Sequence, residues 1–445
     1  MKLTFKSKIV SQAFVLLLMT VITTWLGRVA AIARWELFCL GSLNCVSAGF
    51  TDGYKAAHVL TTGATAILVL LVSSRAWREY RKDILLLPLT AILCVSFFGQ
   101  VLVGAVQVAD SFPMHLVVLH AMSAVLYWIA LIGFVCVAVW RSKNQVAAPS
   151  QGAIINPGFG WQRTKDFLKL TKPLIVSLLL MTTLAGLVAG QKGWPALPII
   201  AWTLVGGTLA AGGASALNQY IDRELDKKMQ RTARRPLAEG RLTPAEGLAF
   251  GLALCLASYY IMASFINLLA ALLSLSGIIY YVLFYSLWLK KSTVQNIVIG
   301  GGAGAIPPMV GWAAATGDLS LGAWILFAIV FFWTPPHFWA LAIVRKQDYE
   351  RAGVPMLPVV MGEHATSGKI LLYSVELVAV SLLLPLLNLA GLFYLIAACL
   401  LGGGLIYSAW KVWKVGGNRL AWKMYKWSSL YLAFIFLAIM VDALI

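Results

Sequence analysis

Long apolar stretches separated by short polar segments organise this chain. Each stretch has about 20 residues, the length that an α-helix needs to cross the hydrocarbon core of a bilayer. None shows the strict alternation of a membrane β-strand. The pattern predicts an all-α polytopic membrane protein with about 13 transmembrane helices. The predicted spans are 9–30, 56–75, 84–107, 115–140, 173–190, 195–217, 245–263, 267–288, 293–313, 320–341, 369–388, 391–410 and 424–444.

Composition supports this fold class. The 445 residues are 60% hydrophobic and 12% charged, whereas soluble chains are about 45–50% apolar and about 25% charged. These values exclude a soluble enzyme and a protein with a single membrane anchor. The net charge of +18 fits basic loops on the cytoplasmic side and attraction to anionic lipid headgroups of the bilayer. It therefore predicts no nucleic-acid partner.

The spans fall into two groups. Four precede residue 141 and nine follow residue 172, and the segment between them is polar and contains several Pro, Gly and Ser residues. Such a segment is typical of a domain boundary. We therefore expect a four-helix membrane domain at 1–140, a cytoplasmic linker at 141–172 and a nine-helix domain at 173–445.

The distribution of basic residues predicts the orientation in a cell membrane. With a cytoplasmic N-terminus, the outer connections hold only four of the 35 Lys and Arg residues, namely Arg28, Arg34, Lys55 and Lys192. An excess of basic residues marks the cytoplasmic side. Cys39 and Cys45 would share the first outer loop, where a disulfide can persist; the sequence leaves open whether they are bonded.

One cytoplasmic loop carries a ladder of oxygen ligands. Asn218, Asp222 and Asp226 are four residues apart, so a continuing helix would place them on one face. Carboxylate and amide oxygens suit Mg²⁺, which is often shared with substrate phosphates. Basic residues nearby could bind those phosphates, namely Lys227, Arg231 and Arg235. The alternative is an ordinary basic inner loop with pairs of charges at helical spacing.

A second loop on the same side repeats the combination of acid and base. It follows span 320–341 and contains Arg345 and Asp348, with His337 near its start. Two such loops could clamp one Mg²⁺-diphosphate above an apolar cavity. We therefore expect Asp222, Asp226 and Asp348 to be Mg²⁺ ligands and, with Asn218, to form the catalytic site.

These residues carry a family resemblance. The Asn218-x-x-x-Asp222-x-x-x-Asp226 motif resembles that of the UbiA-type prenyltransferases, intramembrane enzymes with nine helices. Segments 218–241, 285–312 and 333–358 resemble the branch that farnesylates protohaem IX. The resemblance implies transfer of a farnesyl group from farnesyl diphosphate to a vinyl group of haem B, with water added and diphosphate released, giving haem O. It also implies roles for Lys291 at the diphosphate and for Tyr285 and His337 on the acceptor side.

The first domain suggests a haem site. His58 and His120 lie near the outer starts of two spans, and two facing imidazoles in a four-helix bundle can ligate haem b. The alternative is that each caps its helix near the headgroups. With Cys39, Cys45 and Gln100-x-x-x-Gly104, these residues resemble one half of haem A synthase. The resemblance implies that this domain binds haem B for delivery or contacts haem A synthase or terminal oxidase assembly proteins.

Two alternative functions remain at this stage. A UbiA-type prenyltransferase acting on a quinone or aromatic precursor would share the Mg²⁺-diphosphate site and differ in its acceptor. A haem-binding electron carrier or transporter would depend on His58 and His120 instead of the Asp residues. Removing Asp222 would abolish either prenyltransferase activity but would leave haem binding intact.

Overall fold

A computed structural model describes residues 8–39, 46–110, 112–144 and 160–445, with the side chains of 32–39, 46–52 and 291 left out. The described residues are helical and contain no strand. Thirteen of their helices are long and apolar enough to cross a membrane. The prediction of an all-α polytopic protein with about 13 spans is therefore confirmed.

The helices follow one another with short connections. The first unit contains α1 (Lys8–Cys39), α2 (Val46–Glu79), α3 (Leu86–Ala109) and α4 (Met114–Lys143). They are followed by α5 (Trp161–Leu170), α6 (Pro173–Gln191), α7 (Leu197–Asp226), α8 (Pro244–Phe265), α9 (Leu268–Ile279), the π-helix π1 (Tyr280–Leu289) and α10 (Lys290–Ser292). The remaining helices are α11 (Asn296–Thr316), α12 (Leu321–Val344), α13 (Lys346–Arg351), α14 (Leu357–Val360), α15 (Gly362–Leu386), α16 (Leu392–Val415) and α17 (Asn418–Asp442).

The chain forms two compact units. The first is Met1–Ile154 with Thr243–Ala253, and the second is Ile155–Leu242 with Leu254–Ile445. In the first unit, α1 packs on α2 and α3 packs on α4, and the two hairpins close a four-helix bundle through α2 with α3 and α1 with α4. The sequence had no signal that the first half of α8 clusters with this bundle, because that helix reads as one apolar span.

The second unit is built around α11 and α12. Helix α11 packs against α6, α9 and α12, and α12 packs in turn against α15 and α17. Its core includes the fully buried Ile329, Ala340, Tyr394, Tyr431 and Phe436. The two central helices are therefore surrounded by protein along most of their length.

Helices α6 and α11 approach one another at two glycines. A Cβ on Gly311 would overlap the backbone oxygen of Thr183, and a Cβ on Gly186 would overlap that of Pro308. Small residues allow this approach between membrane helices, where close van der Waals packing replaces the hydrophobic effect as the main attraction. The position of α6, and hence of the residue before it, depends on these glycines.

Part of the segment assigned to the linker is helical. Residues 161–170 form helix α5, whose buried Asp166 accepts a hydrogen bond from Arg241 Nε at 3.1 Å. The last carbonyl of α5, on Leu170, accepts from Ser215 Oγ at 2.8 Å and from Gln219 Nε2 at 2.9 Å. Composition alone predicted a polar linker here, but the end of α5 is hydrogen-bonded to α7 beside Asn218.

We predict that Gly311→Ala destabilises the protein by about 1–3 kcal/mol, because the added methyl forces α6 and α11 apart. Thermal unfolding of the purified protein, followed by tryptophan fluorescence, measures the change. Gly304→Ala is the matched control, since it lies on the same helix with nothing within 4 Å of its Cβ position. An equal loss of stability in both variants would show that close approach is not the cause.

Candidate active site

The oxygen ladder predicted from the sequence lies at the end of α7. The helix continues to Asp226, so Asn218, Asp222 and Asp226 share one face, and all three are buried. Asn218 Nδ2 donates to Asp222 Oδ2 at 2.8 Å. The sequence therefore brings these three side chains together by helical spacing alone.

Basic side chains from other segments neutralise the two carboxylates of this ladder. Lys290 Nζ lies 2.5 Å from Asp222 Oδ2. Arg235 Nη1 donates to both oxygens of Asp226, at 3.0 and 2.8 Å. A buried carboxylate is costly without such a partner. Asp222 Oδ1 is also buried but accepts no hydrogen bond, so one oxygen of this carboxylate is available to a cation.

Lys172 adds a third cation that the sequence analysis missed. Its amine donates to Asn218 Oδ1 at 3.0 Å, and its backbone is left-handed, with φ of 51°, directly before Pro173. Burial lowers the pKa of Lys172 to about 7, and the nearby charges of Arg235 and Lys290 act in the same direction. The amine is therefore charged below this pH, and an added negative group would favour its charged form.

The π-helix π1 positions a further hydrogen-bond partner of Asn218. Ser286 Oγ donates to the carbonyl oxygen of Tyr281, five residues earlier, at 2.9 Å, and accepts from Asn218 Nδ2 at 3.1 Å. Tyr281 and Tyr285 stack with ring centroids 5.6 Å apart. Asp222 and Arg231 act electrostatically on the hydroxyl of Tyr285. π-helical turns occur often at functional sites, and this one leads directly into Lys290.

The second loop reaches the same region through Tyr349. Asp348 is buried and accepts from Arg351 Nη2 at 2.6 Å. Burial raises the pKa of Tyr349, while the positive charges of Arg231 and Lys290 oppose that shift. Side chains from both predicted loops therefore lie within electrostatic range of one another.

Most of the other residues predicted to bind phosphate are exposed. Lys227 is bonded to Glu224 at 2.8 Å in an exposed pair. Arg231 and Arg345 are exposed. The side chain of Lys291 lies outside the described part of the structure. Asn296 is a further polar residue that the sequence did not single out, since its Oδ1 is buried without a hydrogen-bond partner.

His337 lies in an aromatic stack between α12 and α17. Its ring stacks on Trp333 at 4.3 Å and on Tyr425 at 4.5 Å. Its Nδ1 lies 2.8 Å from Ser428 Oγ, whose own hydrogen is donated to Tyr425 O. Nδ1 therefore donates to Ser428. No hydrogen bond in the described structure joins His337 to the Asp residues of α7.

The oxygen ligands fit Mg²⁺ shared with a phosphate. Within the described ranges, no three His, Cys, Asp or Glu side chains form a group that could hold a metal by themselves. Mg²⁺ is commonly bound by one or two carboxylates together with water and substrate phosphates. Asp222 and Asp226, with the amide of Asn218, supply hard ligands of that kind, and Asp222 Oδ1 is free to bind.

The two histidines of the first unit are held in the same way. His58 Nδ1 lies 3.0 Å from Thr23 O, and His120 Nδ1 lies 3.1 Å from Gln100 O. Because a carbonyl only accepts, each Nδ1 carries the hydrogen and each Nε2 presents a lone pair. His58 also acts electrostatically on His120. Whether Cys39 and Cys45 are bonded, which the sequence left open, concerns side chains outside the described part of the structure.

A bundle of membrane helices in which buried carboxylates pair with Lys290 and Arg235 defines a polytopic membrane protein with a charged site whose side chains suit a metal and a polyphosphate. The model of the UbiA prenyltransferase family matches residues 179–430. The chain belongs to the UbiA prenyltransferase family, and the family prediction made from the motifs is confirmed.

Two similar proteins carry the same name. A protoheme IX farnesyltransferase of Roseiflexus castenholzii is 41% identical over 413 residues, covering 90% of this chain and 77% of that protein. A protoheme IX farnesyltransferase of Gloeobacter violaceus is 50% identical over 304 residues, covering 68% of this chain and 97% of that protein. The first match is longer than the second unit, so it includes residues of the four-helix bundle.

The fold of the second unit has a solved counterpart. A structure reported for digeranylgeranylglyceryl phosphate synthase matches with a TM-score of 0.55 and 19% identity, covering 63% of this chain and 99% of that one. At this identity the likeness shows the helical fold. It therefore supports the helical architecture that surrounds the oxygen ladder of α7.

We predict that Arg235→Gln destabilises the protein by about 2–3 kcal/mol, because it leaves the buried Asp226 carboxylate without its cation. The double variant Arg235→Gln with Asp226→Asn should recover most of the loss in thermal unfolding. Lys227→Gln, which removes an exposed pair, is the control and should change little. No recovery in the double variant would mean that Arg235 stabilises the loop by other contacts.

Proposed function

We propose that this chain transfers the farnesyl group of farnesyl diphosphate to a vinyl group of haem B, with addition of water, giving haem O and diphosphate. The observation that carries the proposal is the buried set of Asn218, Asp222 and Asp226 with Lys290 and Arg235 on it. Relatives at 41% and 50% identity are named protoheme IX farnesyltransferases, which supports the choice of donor and acceptor.

The oxygen ligands would hold Mg²⁺. Asp222, Asp226 and Asn218 lie on one helical face, and Asp348 lies in the second loop with one oxygen bonded to Arg351. When bound, the metal stabilises the negative charge that develops on the departing diphosphate. Asp348 is the proposed fourth ligand.

The basic residues would bind the diphosphate. Lys290 and Lys172 lie on the oxygen ladder, and Arg231 is exposed beside it. The proposed set also includes the residues predicted from the loops, namely Lys227, Arg235, Lys291 and Arg345. Ammonium and guanidinium groups that already point at the leaving group lower the barrier because they need no reorganisation as charge develops.

The chemistry needs an acceptor carbon and exclusion of water rather than a protein nucleophile. The bond between C1 of the farnesyl group and the diphosphate oxygen breaks, and the electron pair leaves with diphosphate. The vinyl π electrons then form the new carbon–carbon bond, and water adds to the resulting cation and loses a proton. The stacked rings of Tyr281 and Tyr285 would face the allylic cation and keep bulk water from it. We place His337 with its aromatic stack on the acceptor side.

We propose that the first unit binds haem B between His58 and His120. The supporting observation is that both Nδ1–H groups are engaged by backbone carbonyls, at 3.0 and 3.1 Å, which leaves both Nε2 atoms as ligands. Fixing the tautomer through Nδ1 is the usual way in which a ligating histidine is oriented. Such a site could store the acceptor or contact haem A synthase or terminal oxidase assembly proteins.

The orientation follows from the basic loops. We propose that the protein lies in the cell membrane with a cytoplasmic N-terminus and that the oxygen ladder faces the cytoplasm. The support is the count of basic residues, since only four of 35 lie in the connections assigned to the outer side. Farnesyl diphosphate would then reach the site from the cytoplasmic side.

We predict that Asp222→Asn lowers formation of haem O roughly 100-fold or more, because a metal ligand is lost while the side-chain shape is kept. Membranes containing the protein are incubated with haem B, farnesyl diphosphate and Mg²⁺, and the haems are separated with mass detection. Asp318→Asn, an exposed carboxylate in the loop between α11 and α12, is the control and should keep full activity. Consumption of farnesyl diphosphate on a quinone precursor, with haem B unchanged, would favour the alternative acceptor.

We predict that the purified full chain binds haem B with a low-spin bis-histidine spectrum, and that His58→Ala or His120→Ala converts it to a high-spin spectrum with weaker binding. His115→Ala is the matched control, because His115 is an exposed histidine near the start of α4, the helix that carries His120. Asp222→Asn should leave the spectrum unchanged. A low-spin spectrum that survives both histidine substitutions would exclude this pair as the ligands.

A further inference from the structure

The candidate site carries its own counter-ions. Asp222 is bonded to Lys290, Asp226 to Arg235 and Asp348 to Arg351, at 2.5, 2.8 and 2.6 Å. All three carboxylates are almost fully buried, at 0, 2 and 5% exposure. Every proposed acidic ligand is therefore already neutralised by a side chain of the same chain.

A metal ion by itself would meet these cations. Asp222 Oδ1 can accept it, but Oδ2 of the same carboxylate is held by Lys290. The added positive charge would repel that ammonium across one carboxyl group. Both oxygens of Asp226 are held by Arg235, so the metal would also have to displace a guanidinium. Metal binding alone is therefore opposed.

A diphosphate by itself would meet the opposite problem. To bind it fully, Lys290 and Arg235 would have to leave Asp222 and Asp226. Two buried carboxylates would then lack a cation, which is strongly unfavourable. When both ligands bind together, the metal neutralises the carboxylates and the freed basic groups neutralise the diphosphate.

We propose that Lys290 and Arg235 are exchangeable counter-ions that pass from Asp222 and Asp226 to the diphosphate as a divalent metal takes their place, so that each ligand increases the affinity for the other. The diphosphate comes from the proposed function, on which this inference rests. The exchange itself follows from the pairs in the structure. By linkage, the factor by which the metal tightens diphosphate must equal the factor by which diphosphate tightens the metal.

Asn218 would not take part in the exchange. Its amide is held from three sides, by Lys172 on Oδ1 and by Asp222 and Ser286 on Nδ2. Lys172 lies directly before Pro173, and its amine is held on Asn218 Oδ1 at 3.0 Å. These contacts keep one ligand and one cation in place while the two pairs beside them rearrange.

The test measures binding rather than turnover. The full chain in lipid nanodiscs is titrated with Mn²⁺, followed by electron paramagnetic resonance, with and without inorganic diphosphate, and the free Mn²⁺-diphosphate complex is subtracted. We expect diphosphate to tighten Mn²⁺ binding at least tenfold in the wild-type protein. Equal affinity in both titrations would overturn the proposal.

The variant Lys290→Met gives a result that a simple phosphate ligand would not. It should tighten Mn²⁺ alone about tenfold, because Asp222 loses its competing cation, and weaken diphosphate alone, so that the coupling becomes small. Lys228→Met, an exposed lysine in the loop after α7, is the control and should match the wild type. Unchanged or weaker Mn²⁺ binding by Lys290→Met, in a protein whose circular dichroism shows that it is folded, would refute the exchange.

The outcome is separable from that of the proposed function. If no haem O forms but the coupling and its loss in Lys290→Met are observed, the exchange stands for another diphosphate substrate. If haem O forms and Mn²⁺ binds equally well without diphosphate, the transferase stands and the exchange is wrong.

Discussion

The second unit depends on the neutralisation of three carboxylates that are buried at the end of a membrane bundle. A charge in such a place is unfavourable by several kcal/mol unless it is paired and hydrogen-bonded. Asp222 takes its cation from the start of α10 and Asp226 from the loop after α7, whereas Asp348 is paired within its own helix, α13. The pairs of Asp222 and Asp226 therefore hold two other segments against one face of α7, and the same charges that make a metal site feasible also hold its surroundings together.

The helix bundle delivers these groups through backbone contacts rather than through charge. The approach of α6 to α11 at Gly186 and Gly311 sets the start of α6, where Lys172 lies. Helix α5 fixes the other side of that start, because the carbonyl of Leu170 accepts hydrogen bonds from α7. A lysine that is pinned by packing loses little further freedom when it binds an anion, so the scaffold contributes directly to the electrostatics of the site.

The sequence predicted the features that follow from a fixed period or length. Membrane thickness sets the length of a span, so all thirteen spans could be found, and the helical repeat placed Asn218, Asp222 and Asp226 on one face. Lys172 and Ser286 were missed because their contacts with Asn218 join residues 46 and 68 positions apart. The π-helix was missed because its ten residues have the composition of any apolar span. Contacts of this kind are set by tertiary packing, which leaves no local pattern.

In the four-helix bundle, too, backbone contacts fix polar side chains. His58 is bonded to the carbonyl of Thr23, four residues before Gly27, and His120 to that of Gln100, four residues before Gly104. Thr and Gln differ in their side chains, but only their carbonyls are used. The glycines leave room for the imidazole rings, because a Cβ at Gly27 or Gly104 would lie only 2.8 or 3.1 Å from the ring of His58 or His120. Each hairpin thus holds one histidine in one tautomer by backbone alone. Two hairpins that repeat this device present two equivalent Nε2 atoms, which is the arrangement that the haem proposed to bind there would require.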